Sequence, residues 1–199
     1  MIFWAFRPPA GKPNFYDRMS NMYYLATLHD KDIFPQPTHI TPDHYEKRVT
    51  VKALVKNEGG EFGFITNPIH KCYLLAGGGA ESADIIQEIK RECIEEIRYE
   101  VDVEREVGRI HEFRDRDAKE YETICFLVEA KKETYGDLRT EDEKKNDLSV
   151  IWLEGETARK ILREQVDKVR KGEIKFYNTA FNIVRDQIFF EEIFKDRND

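Results

Sequence analysis

No apolar run in this chain approaches the roughly 20 consecutive residues that a membrane-spanning helix needs. A basic excess is missing as well: 32 Lys and Arg stand against 39 Asp and Glu, for a formal net charge of −7. General affinity for nucleic-acid polymer rests on basic surface, so that function class is disfavoured. A nucleotide ligand stays open, because a metal and a few basic side chains can meet its charge locally. Cysteine is scarce. Cys72, Cys93 and Cys125 are odd in number and form no CxxC pair, and the expectation is reduced thiols in a cytoplasmic protein. Met1 to Phe6 is apolar but very short, with no basic stretch ahead of it and no small-residue cleavage site, so no signal peptide is expected. There is no internal repeat and no low-complexity tract.

The 199 residues suffice for one well-packed domain with appended ends. Residues 1–44 hold most of the prolines (Pro8, Pro9, Pro13, Pro35, Pro37 and Pro42) and read as an irregular N-terminal arm. Met19 and Met22 are candidate alternative starts within it. Residues 45–199 read as the domain, closed by two C-terminal helices. Its first strand is residues 48–56, where Val49, Val51, Ala53 and Val55 alternate with Thr50, Lys52 and Leu54. The turn Asn57-Glu58-Gly59-Gly60 leads to a strand at 62–66, broken by Asn67-Pro68. A short apolar run at 72–75 enters the glycines. A long strand pair is expected at 101–113 and 121–131, then a charged loop at 140–147 and a strand at 148–153. Amphipathic helices follow at 158–171, with Ala158, Ile161, Leu162, Val166 and Val169 inward, and at 178–194, with Phe181, Val184 and Ile188 inward. Phe189 and Phe190 either pack inward or form a homodimer surface. This order implies a mixed sheet covered by helices on two faces.

The densest chemistry lies at Gly77-Gly78-Gly79-Ala80-Glu81 and Arg91-Glu92-Cys93-Ile94-Glu95-Glu96. A helix expected at 83–97 carries an apolar stripe of Ile86, Ile89, Cys93 and Ile97. At about 100° per residue, Glu92, Glu95 and Glu96 share roughly 100° of arc beside it, with Asp84 and Glu88 nearby. Like charges so crowded repel. A hard divalent cation would relieve them, since Mg²⁺ prefers carboxylate and water oxygens. Cys93 falls on the apolar side and reads as a core residue rather than a nucleophile.

Residues 77–99 resemble the signature of the Nudix hydrolases: Gly, five residues, Glu, seven residues, then Arg-Glu-apolar-any-Glu-Glu-any-Gly-apolar. Gly77, Arg91, Glu92, Cys93, Glu95, Glu96 and Tyr99 match in register. The order of flanking elements extends the resemblance over roughly residues 46–195. Ala83 stands where the signature has its first glutamate, in a loop one residue short, with Glu81 and Asp84 the nearest carboxylates. Arg98 stands where the signature has glycine, and Ala76 replaces a proline.

The resemblance implies an α/β/α sandwich with a mixed sheet between helices, and hydrolysis of a pyrophosphate linkage in a nucleoside diphosphate derivative. Oxidised nucleoside triphosphates and nucleotide sugars such as ADP-ribose are both candidate substrates. It implies Mg²⁺ or Mn²⁺ held by Glu92, Glu95, Glu96 and a carbonyl of Gly77 or Gly78, with Arg91 orienting a glutamate through an ion pair. Gly77, Gly78, Gly79 and Glu143 are candidate substrate contacts. The general base is Glu92 or an acidic residue of the later loop, Glu141, Glu143 or Asp147. A nucleotide-binding module with little turnover is the alternative. His70 and His111 lack metal-ligand spacing and read as surface or loop residues. Tyr177 is placed to touch a base, and Asn178 to cap the last helix.

Overall fold

The structure, a computed structural model, describes residues 23–34, 36, 40–67, 72–134 and 149–195. Its strands are β1 (Tyr24–His29), β2 (Glu46–Lys56), β3 (Phe62–Asn67), β4 (Cys72–Leu74), β5 (Tyr99–Arg114), β6 (Lys119–Glu133) and β7 (Ser149–Leu153). The helices are α1 (Asp30–Ile33), α2 (Ile85–Glu92), α3 (Gly155–Arg170) and α4 (Tyr177–Lys195). The strands make one seven-stranded sheet in the order β1-β5-β6-β2-β3-β4, with β7 on β3. It is mixed: β1 with β5 and β2 with β6 run parallel, and the other pairs antiparallel.

Alternation along β2 divides the core. Val51, Ala53 and Val55 face Ile89 of α2 and Cys93 and Ile97 beyond it, while Leu54 faces Phe181, Ile183 and Phe190 of α4 and Leu162 of α3. Helices therefore cover both faces of the mixed sheet, an α/β/α sandwich. Phe189 and Phe190 are fully buried, so they pack inward, whereas Val184 and Ile188 are only half-buried. The three cysteines are free and buried, and burial pushes the Cys72 thiol up to about 11. Among the described residues, no helix is long and apolar enough to cross a membrane.

The N-terminal boundary needs correction. Within the span read as an irregular arm, Tyr24–His29 forms an edge strand of the sheet, with Leu28 and Ile33 buried in the core. A latch fixes the segment: the Tyr177 hydroxyl donates to Asp30, Asp115 N donates to Asp30 Oδ1 at 3.2 Å, and Phe34 stacks on Tyr177. The strand escapes local detection because its partner begins at Arg109. The first residues of the arm, 1–22, lie outside the described residues.

The end of α2 carries a second departure from plain periodicity. Cys93–Ile97 winds as a π-turn, and Arg98 closes it in the left-handed region at φ 66° and ψ 35°. A side chain in that region costs about 1 kcal/mol or more. Arg98→Gly is therefore expected to stabilise the fold by roughly 0.5 kcal/mol, net of the freedom glycine gives the unfolded chain. Urea unfolding of the two proteins checks this; a loss of stability would mean that the Arg98 side chain's contacts outweigh the strain.

Candidate active site

The glycine segment does not hang free as a loop. It runs antiparallel to β2 along its edge: Val51 N donates to Gly78 O, Ala53 N to Ala76 O and Ala80 N to Val49 O, all at 2.9–3.0 Å. Gly77 has φ +125°, and a Cβ there would sit 2.1 Å from Val51 O. A Cβ on Gly78 would sit 2.7 Å from Glu92 Oε1. One glycine lets the backbone hug β2, and the next lets a carboxylate lie against the backbone.

α2 faces this segment. Asp84 caps it, accepting from Gln87 N at 3.1 Å. Glu92 is 7% exposed against Gly78, and Glu96 Oε2 accepts from Gly77 N at 2.6 Å. Two carboxylates thus converge on Gly77 and Gly78. Glu95 does not join them. It accepts from Arg91 Nη1 at 2.7 Å on a partly exposed side. The expected arc of three assumed α-helical spacing throughout. The π-turn, with its i→i+5 bonding, changes the angular step between Glu92 and Glu96. Among the described residues, no group of three or more His, Cys, Asp and Glu side chains is set to hold a metal ion.

Arg91 also donates to Glu92 Oε1 at 2.7 Å and to Glu88 Oε2 at 3.1 Å. Burial works against its charge, but the carboxylates prevail and push its pKa up. Glu88 additionally accepts from Glu81 N at 3.2 Å. Asp84 is committed to capping, so of the acidic residues near the position of Ala83 it is Glu88, one turn ahead of Arg91 and Glu92, that enters the ion-pair cluster. Burial pushes the Glu92 carboxyl up, while Arg91 and Lys52 pull it back.

Lys52 is the residue that sequence reasoning missed. It sits mid-strand on β2, and its Nζ donates to Leu75 O at 3.0 Å and to Gly77 O. Burial and Arg185 push its pKa down, against the charges of Asp186, Glu96 and Glu92. Strand alternation marked its face as polar but gave no sign that it meets the glycine segment.

Beside this segment lies a cleft of about 660 Å³, walled by Arg48, Thr50, Gly79, Ser82, Ile85 and Tyr121. Ala83 lines it too. Gly79 is thus the expected substrate glycine that borders open space, whereas Gly77 and Gly78 are packed against β2 and Glu92. Glu141, Glu143, Asp147 and His70 lie outside the described residues. His111 lies on β5, its Nε2 3.3 Å from Glu120 Oε1. Tyr177 belongs to the Asp30 latch. Asn178 is not the cap of α4, which starts at Tyr177; it sits in the first turn and accepts from Arg114 Nη1 at 3.1 Å.

The two packed glycines should respond differently to alanine. Gly77→Ala drives a Cβ into fixed backbone at a disfavoured φ and is expected to destabilise the fold by more than about 2 kcal/mol. Gly78→Ala meets only the carboxylate end of the Glu92 side chain, which can shift where backbone cannot. It should leave the melting temperature nearly unchanged while displacing Glu92 and weakening Mn²⁺ binding. Paired thermal melts and Mn²⁺ titrations check this, and equal effects at the two positions would contradict the packing described.

No protein-family model matches the sequence, and no curated protein sequence matches it. Solved structures do. The chain is similar to a NUDIX hydrolase from Nitrosomonas europaea at 17% identity and TM-score 0.47, over 65% of this chain and 91% of that one. It is similar to a MutT NUDIX hydrolase from Burkholderia pseudomallei at 18% identity and TM-score 0.41, over 56% and 85% of the respective chains. It is also similar to a UDP-X diphosphatase at 16% identity and TM-score 0.43, over 58% of this chain and 54% of that one.

Proposed function

We propose that this chain is a metal-dependent hydrolase that cleaves the pyrophosphate linkage of a nucleoside diphosphate derivative. The observation that carries the proposal is the convergence of Glu92 and Glu96 on the backbone of Gly77 and Gly78. Mg²⁺ is commonly held by one or two carboxylates while keeping several waters, so this pair of hard oxygen donors fits Mg²⁺ or Mn²⁺. The ion supplies charge neutralisation at phosphate and activation of water when bound. Glu95 has no direct part in this arrangement.

The other groups position. Arg91 ties Glu88, Glu92 and Glu95 together and fixes the rotamer of Glu92. Gly77 N aims Glu96. Glu92 is the candidate base within the described residues. The cleft beside Gly79 lies in the size range of small-molecule sites and takes the nucleoside or the group joined to it. Arg48 and Lys47 on its wall supply charge for phosphate, and Tyr121 supplies an aromatic face.

A screen of oxidised nucleoside triphosphates and nucleotide sugars tests this, with Mg²⁺ and Mn²⁺ and phosphate release after phosphatase coupling. Turnover of any such compound that is lost on chelation supports the hydrolase. A second reading, a binding module with little turnover, has one observation in its favour: Ala83 lines the cleft where the resemblance places a glutamate. Tight nucleotide binding with metal and no turnover across the whole screen would favour it.

A further inference from the structure

The crowding of carboxylates on α2 calls for a cation, and the protein supplies two of its own. Arg91 takes Glu88, Glu92 and Glu95. Lys52 reaches the segment from the other face of the sheet. Its Nζ bonds both Leu75 O and Gly77 O, and Gly77 in turn holds Glu96 through its N–H. Lys52 is thus the middle of a chain of contacts across the molecule. Asp186 of α4 accepts from Leu75 N at 2.9 Å, Lys52 bridges the Leu75 and Gly77 carbonyls, and Gly77 N donates to Glu96. The carbonyl that Lys52 holds is one that the resemblance assigns to a metal.

We propose that Lys52 is a resident cation of the site, holding the Gly77 carbonyl and balancing Glu92 and Glu96 until a divalent ion displaces it. This inference rests on the reading that such an ion binds at Glu92 and Glu96. Two positive groups at one carbonyl and one carboxylate pair repel each other, so ion and ammonium compete. Lys52 lowers metal affinity and keeps the carboxylates ordered without metal. It is a positioning residue and not a catalytic one.

Lys52→Met keeps most of the side chain's length and apolar stem and removes the charge. Isothermal titration with Mn²⁺ should show binding about tenfold tighter than in the wild type. Lys52→Arg should not show the gain. A purely structural role predicts the opposite sign, because a loosened segment weakens binding. Affinity equal to or below wild type in Lys52→Met overturns the proposal. Should that variant not fold, acylation footprinting of the wild-type chain decides. Labelling of Lys52 should rise several-fold on adding Mn²⁺, and unchanged labelling at saturating Mn²⁺ overturns the proposal. Glu92→Gln separates the two levels. If it leaves Mn²⁺ affinity at the wild-type value, the metal reading itself fails. If it abolishes binding while Lys52→Met shows no gain, only the role of Lys52 fails.

Discussion

Glu96→Gln is expected to lower turnover about a thousandfold while leaving the fold intact. Glutamine keeps an oxygen where Glu96 Oε2 accepts from Gly77 N at 2.6 Å, so the glycine segment retains its anchor. What disappears is the negative charge that Glu96 would offer the proposed metal. Loss of a direct metal contact costs several kcal/mol of transition-state stabilisation, and about 4 kcal/mol corresponds to about a thousandfold in rate. The measurement is kcat on the best substrate at saturating Mn²⁺, beside a thermal melt. Activity within tenfold of wild type at an unchanged melting temperature would remove Glu96 from the metal site. Ala83→Glu makes a useful contrast. Ala83 lines the cleft and is exposed, so a glutamate there should change turnover modestly or raise it. If it switches on an otherwise silent protein, the natural chain is the binding module.

Asp186→Ala should produce the largest stability loss. Asp186 is fully buried and pairs with the equally buried Arg185, their closest atoms 2.9 Å apart. Its other oxygen accepts from Leu75 N. Among the described residues, removing the carboxylate leaves Arg185 with a 3.4 Å contact to Glu112 and leaves the buried Leu75 N–H without its acceptor. Breaking a buried pair from one side costs about 3–5 kcal/mol. Urea unfolding should show a loss in that range, with Asp186→Asn less damaged because its amide oxygen still accepts from Leu75 N. A loss below about 1 kcal/mol would mean that Arg185 finds compensation elsewhere. Because Leu75 leads directly into Gly77, Mn²⁺ affinity should fall together with stability.

Sequence periodicity reached the parts of this molecule whose cause is local. The strands at 48–56, 62–66, 101–113 and 121–131 were legible because apolar and polar residues alternate there, and the structure extends them by a few residues only. Glu92, Glu96 and the glycines were legible because loop, spacing and helix combine in one stretch of chain. What escaped depends on contacts distant in sequence. β1 finds its partner in β5. Lys52 looks like any polar residue of a strand until the glycine segment is laid beside it. The buried group of Glu112, Arg114, Arg185 and Asp186 assembles from β5 and α4 and leaves no pattern on either element alone. The placing of Glu95 on the arc depends on an α-helical step, and the π-turn at Cys93–Ile97 alters that step.

The parallel pairing of β1 with β5 also has a consequence for biosynthesis. Tyr24–His29 leaves the ribosome early, yet its edge partner starts at Arg109 and the hydroxyl that locks Asp30 belongs to Tyr177. At ordinary elongation rates these arrive on the order of ten seconds later. During that interval the segment is an unsatisfied strand with an apolar side, a form of nascent chain that invites wrong partners. Native contacts so distant in sequence also slow the final closure. β1, translated well before both of its partners, is therefore among the last strands to be seated, and a chaperone that shields the nascent chain over that interval should raise the yield of folded protein.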